Sequence, residues 1–212
     1  MTITWLGATV AGALFGGLVA PALTTRGLLQ LKRVGLRSKN LLLIGAIGGA
    51  AAGAATVLAA LRLDIWALAP ALLLWGAGLV AAACCDAVTQ RVPTSLVRQA
   101  GVVTFVLLTS GLALYGDWRG LLVSMVAPVA SGLTLLLCWR FAGAGFGDVR
   151  LAALGGLGLG HSTHRGLLLG LAAFILIVVA QAMVTVVRGG DRRTMIPYGP
   201  ALAVGFLLAA AL

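Results

Sequence analysis

The chain has 212 residues, 61% of them hydrophobic and 9% charged, with a mean hydropathy of +1.10, values that exclude a water-soluble globular domain and a disordered chain. What remains is a bundle of helices in lipid. The net charge of +10 is spread over short connections, with no basic helical face and no aromatic-interleaved platform, so it points to the membrane surface and excludes nucleic acid as a partner.

Taken in chain order, apolar runs at Ile3–Leu23, Leu41–Leu61, Ile65–Cys85, Leu96–Tyr115, Leu121–Trp139, Val149–Gly160, Gly166–Val187 and Ile196–Leu212 predict an all-α polytopic membrane bundle of eight segments in one domain. Seven reach spanning length or close to it. The sixth, with twelve residues, covers only about 18 Å of a hydrocarbon core about 30 Å thick. Met1–Leu6 lacks a positive region and the first run is long enough to span, so that segment is expected to stay in the mature chain.

Charge orients the segments. If all eight cross, one side holds Arg26, Lys32, Arg33, Arg37, Lys39, Arg91, Arg98, Arg140, Arg150, Arg188, Arg192 and Arg193, and the other only Arg62, Arg119 and Arg165. The bias makes the first side cytoplasmic and favours a short sixth span. Residues 24–40 then form a short basic cytoplasmic loop. Trp5, Trp66, Tyr115 and Trp118 fall at the outer boundary and Trp139 and Tyr198 at the inner one, while Trp75 is mid-segment and reads as packing. Gly12, Gly16 and Gly17 on one segment and Gly45, Gly48, Gly49 and Gly53 on another read as close helix packing.

The chain has no Glu and only five Asp. Asp86 closes one apolar run, Asp148 opens another, and both fall at the predicted cytoplasmic face. A charge at membrane depth costs several kcal/mol unless it has a purpose or a partner. The structural alternative is pairing with Arg91 and Arg150, respectively, or simply a place in the head-group zone, where charge is cheap. Gly145 and Gly147 remove side chains just before Asp148, which lets another backbone come close to its carboxylate. Pro93, downstream of Asp86, is suited to begin the next helix or to terminate the turn.

Asp86 with Arg91-Val92-Pro93, the block GFGDVRLAALGGLGLG around Asp148, and Ile196-Pro197-Tyr198-Gly199-Pro200 near the end resemble, in that order, three elements of the type IV prepilin peptidases, which are aspartic membrane proteases. Thr94 stands where that family usually has Asn, and Arg150 where it often has Lys. The large cytoplasmic insertion with paired C-x-x-C motifs is absent, which implies the short, protease-only form. The resemblance implies catalysis by Asp86 and Asp148, with Gly145, Gly147, Pro93, Arg150, Pro197, Gly199 and Pro200 as supporting residues and no metal or cofactor. It also implies a prepilin or pseudopilin precursor as substrate, cut at the cytoplasmic face of a bacterial inner membrane. Two carboxylates about 4 Å apart would repel by about 4 kcal/mol at an effective dielectric near 20, enough to make them share one proton. The ionised one takes a proton from water while the protonated one polarises the carbonyl.

Membrane lipid is an expected partner; self-association is left open. His161 and His164 have H-x-x-H spacing, but they lie in a predicted outer loop without a third ligand and read as a solvated turn. Cys84, Cys85 and Cys138 form no metal or disulfide pattern and read as small core residues. The serines lack a base or a nucleophile-elbow context. Two rival readings use the same acids: a presenilin-like or signal-peptide-peptidase-like intramembrane protease, and a proton- or ion-coupled transporter.

Overall fold

The computed structural model describes residues 2–32, 39–62, 64–142, 145–189 and 197–212. Among these the secondary structure is helical, without strands: α1 (Thr2–Gln30), α2 (Lys39–Arg62), a 3-10 turn (Trp66–Leu68), α3 (Ala69–Thr89), α4 (Thr94–Tyr115), α5 (Trp118–Ala142), α6 (Phe146–Leu157), α7 (His164–Val187) and α8 (Gly199–Ala211). Six helices, α1 to α5 and α7, are long and apolar enough to cross a membrane, which fits a multi-pass membrane protein.

Helix α3 is the hub, with 78% of its spanning window buried against α1, α2, α4, α6 and α8. Its sequence explains this position. Gly76, Ala77, Gly78 and the run Ala81–Cys85 leave little side chain on any face, so backbones can approach from every direction, which is how helices associate where lipid removes the hydrophobic drive. The exception is Trp75, fully buried, whose Nε1–H donates to the Leu154 carbonyl at 2.8 Å. Leu154 lies in the last turn of α6, where carbonyls lack intrahelical partners, so the indole both fills space and caps α6. Outward faces are the reverse of a soluble protein: Leu18, Leu114, Leu168 and Val187 are all more than two-thirds exposed, as lipid-facing residues should be.

The glycine stripes join α1 to α2. A Cβ on Gly16 would sit 2.0 Å from the Gly49 carbonyl oxygen, and one on Gly53 the same distance from that of Gly12. Gly17 faces aside, with nothing nearer than 3.4 Å.

Several expectations need correcting. The final segment is not of spanning length: α8 has only 13 residues, about 20 Å, because Pro200 belongs to its first turn and Pro197 precedes it. Ile196 lies outside the described residues. The basic loop does not begin at Thr24, since α1 runs on to Gln30. The hydroxyls of Thr24 and Thr25 donate back to the carbonyls of Ala20 and Pro21 at 2.8 and 2.9 Å, so these polar residues are satisfied inside the helix. Helix α6 keeps its predicted twelve residues but starts three earlier, at Phe146. Cys84 and Cys85 are buried, whereas Cys138 is exposed on α5. His161 lies in a turn, as expected, but its ring is not solvated: Nε2 is buried without a hydrogen-bond partner and burial pushes its pKa down, whereas His164 is exposed.

Candidate functional site

Asp86 sits in the last turn of α3, on the stretch from Gly76 to Asp86 that is buried throughout. The helix ends three residues later because Gln90 adopts a left-handed conformation (φ 52°, ψ 31°) and donates its N–H to the Asp86 carbonyl at 2.8 Å. The chain then passes through Arg91 and Val92 to Pro93, the N-cap of α4, whose ring is fully buried. Pro93 therefore begins the next helix as its fixed φ and missing N–H predict. Gly27 of α1 closes the other side, where a Cβ would lie 2.7 Å from Cys85 Sγ and 3.0 Å from Pro93 Cγ.

Asp148 is the third residue of α6 and folds back on the helix start. Its Oδ2 accepts the Gly145 N–H at 3.1 Å while its own N–H donates to the Gly145 carbonyl at 3.0 Å, a reciprocal arrangement that ties down two otherwise orphaned donors. Gly147 does a different job. A Cβ there would stand 3.0 Å from Cβ and Cγ2 of Val92, so the missing side chain lets the start of α6 rest on the segment that follows Asp86. This contact joins the two acid-bearing turns.

The third predicted element arrives from the far end of the sequence. The Gly199 N–H, at the start of α8, donates to Asp86 Oδ2 at 2.9 Å. A Cβ on Gly199 would lie 2.7 Å from that oxygen, 2.8 Å from Asp86 Cβ and 3.0 Å from Cγ, so only glycine allows this approach. Pro200 follows within the first turn of α8, where its lack of an N–H costs nothing, and Pro197 lies half-buried just before.

Both carboxylates are buried, Asp86 5% and Asp148 6% exposed. Among the described residues neither has a basic partner. Each carboxylate has one backbone N–H on Oδ2 and an Oδ1 that takes no hydrogen bond from those residues. Burial first, and then the charge of Asp86, push the Asp148 carboxyl from 3.8 up to about 6. The two acids thus lie within electrostatic reach of each other, which makes sharing a proton favourable.

Arg150 does not turn to Asp148. Its Nη1 donates to Thr94 Oγ1, and its guanidinium stacks over Phe146 at 4.8 Å, with the Phe146 ring edge-on to Trp139 at a 5.7 Å centroid distance. Thr94 and Arg150, the two departures from the resembled motifs, are therefore bonded to each other across α4 and α6. Sequence reasoning missed Val92 as the seat of Gly147 and Gly27 as the packing partner of Pro93, because neither contact has a sequence period. Among the described residues no group of three His, Cys, Asp or Glu could hold a metal ion.

An apolar cleft of about 470 Å³ opens between α2, α3 and α8, walled among others by Ala83, Cys84, Ala87 and Pro200, which flank Asp86 and Gly199 in the sequence; neither acid lines it. Set against protein-family models, curated proteins and solved structures, the chain matches none.

Proposed function

We propose that this chain is an aspartic endopeptidase of a bacterial inner membrane, cutting the leader from type IV prepilin-like precursors at the cytoplasmic face. The observation that carries the reading is the pair Asp86 and Asp148: two buried acids without basic partners among the described residues, each pinned by a glycine N–H, on turns that meet where Gly147 rests on Val92. Ion pairs that serve only stability would have satisfied these charges, and nothing among the described residues does so.

In the proposed reaction the ionised carboxylate takes a proton from a water molecule as its oxygen bonds to the scissile carbonyl carbon. The other carboxyl donates its proton to the carbonyl oxygen. Collapse of the tetrahedral intermediate breaks the C–N bond, and the proton held by the first carboxyl leaves on the amine. The second carboxylate takes back a proton from the former carbonyl oxygen as the new C=O forms, which restores one ionised and one protonated acid. Gly199 and Gly145 fix the two carboxylates, so little reorganisation is needed as charge moves. The apolar cleft beside Asp86 suits a substrate whose cut site adjoins a hydrophobic helix.

Co-expression with a prepilin-like precursor tests the reading by the size shift of the processed product. The wild type should give the shift, and Asp86→Asn and Asp148→Asn should each abolish it while still accumulating in the membrane. Processing by either variant at the wild-type rate would overturn the dyad.

A further inference from the structure

On another side of the bundle from the apolar cleft beside Asp86, α4, α5 and α6 enclose a second cleft of about 420 Å³. Its body is apolar, formed by Val97, Gly101, Pro128, Leu154 and Leu157 and extending along α4 from Thr94 to Val102, a rise of about 12 Å. Its lining also holds two guanidinium groups, Arg98 and Arg150, and no acid. Arg150 is held by Thr94 Oγ1 and the Phe146 ring, whereas Arg98 is exposed and has no bonding partner among the described residues. Thr94 and Arg150 lie within the first turn or two of α4 and α6, and Arg98 follows one turn after Thr94, so the positive charge gathers at one end of the cleft.

We propose that this cleft binds an anionic phospholipid, with an acyl chain along the apolar wall and the headgroup phosphate between Arg98 and Arg150. The lining matches both halves of such a molecule. Two unneutralised guanidiniums offer bidentate donors to phosphate oxygens, and Arg suits phosphate better than Lys because its planar fork matches that geometry. The hydrocarbon-lined depth has no donor to offer a polar occupant. Gly101 keeps the wall open: a Cβ there would meet only Leu154 Cδ1, at 3.8 Å. The assignment does not depend on the reaction proposed for Asp86 and Asp148.

Native mass spectrometry of the full-length protein released from detergent, titrated with phosphatidylglycerol, phosphatidylcholine or inorganic phosphate, tests the site. Phosphatidylglycerol should bind at least tenfold more tightly than phosphatidylcholine. Arg98→Gln should weaken phosphatidylglycerol about fivefold, the effect of one basic residue near a charged lipid, and leave phosphatidylcholine unchanged. Gly101→Leu, which fills the cleft, should weaken both lipids, and Arg119→Gln at the start of α5 should change neither. Equal binding of the two lipids, or wild-type binding by Arg98→Gln, would overturn the proposal. So would displacement of phosphatidylglycerol by millimolar inorganic phosphate, since that outcome marks a site for a free anion. Arg98 is exposed, so its variant carries the test even if Gly101→Leu does not fold.

Discussion

Gly199→Ala is the smallest change that reaches the proposed chemistry without altering either acid. The added methyl would be 2.7 Å from Asp86 Oδ2 and 2.8 Å from its Cβ, so the carboxylate or the start of α8 must move by several tenths of an ångström. Overpacking of this kind costs about 1–3 kcal/mol. Losing the N–H bond to a charged oxygen, now 2.9 Å, adds about 1.5–3 kcal/mol where Asp86 is ionised. If half of the combined loss falls on the transition state, cleavage slows by roughly 10- to 100-fold. The assay is the initial rate of precursor processing in detergent, read beside the thermal unfolding midpoint. Gly7→Ala is the control, because a Cβ at Gly7 meets nothing within 4 Å and alanine favours the helix. Wild-type rate and midpoint for Gly199→Ala would refute the argument that a backbone contact from α8 holds Asp86 in place.

Other consequences follow from the same geometry. The Asp148 carboxyl binds its proton more tightly in the folded chain, at about 6 against 3.8, so its stabilising contribution is fully present below 3.8 and is lost as pH rises through about 6. Asp148→Asn should therefore raise the unfolding midpoint at pH 7.5, by up to about 3 kcal/mol of stability, and change it little at pH 4; an equal effect at both pH values would contradict the burial argument. Gly16→Ala should destabilise the α1–α2 pair by about 1–3 kcal/mol, since its Cβ would meet the Gly49 carbonyl at 2.0 Å, while Gly17→Ala should be neutral; parallel melting curves would decide. Trp75→Phe should cost about 1–3 kcal/mol by leaving the Leu154 carbonyl buried without its donor, visible as a lowered midpoint. An unchanged midpoint would mean that another donor replaces the indole.

Much of the architecture was legible in the residues. The helical character and the apolar, span-length segments followed from apolar runs broken by short polar connections, and close helix packing from glycines at helical spacing, though not that the α1 and α2 stripes face each other. Pro93 as a helix start needed only its own stereochemistry. Asp86 and Asp148 stood out because acids are so scarce here. The misjudged boundaries lay where local polarity was a poor guide: Thr24 and Thr25 look like loop residues but bond to their own helix, and the final apolar run is shortened by its prolines.

The burial of the two acids, and the contact between the turns that bear them, are tertiary facts. Asp86 and Asp148 are 62 residues apart in the sequence, and Gly199 is 113 from Asp86; no local pattern can tell whether such positions share a turn or face opposite sides of the bundle. Val92 beneath Gly147 brings the first pair together, and the start of α8 against Asp86 adds the third element. Likewise Arg150 had an acid two residues away in sequence, yet it bonds to Thr94, because the packing of α4 on α6 sets which partner its side chain can reach. Composition and spacing decide what each segment is; which segments touch depends on how closely their backbones can approach, and that is settled only when small residues from distant parts of the chain fit together.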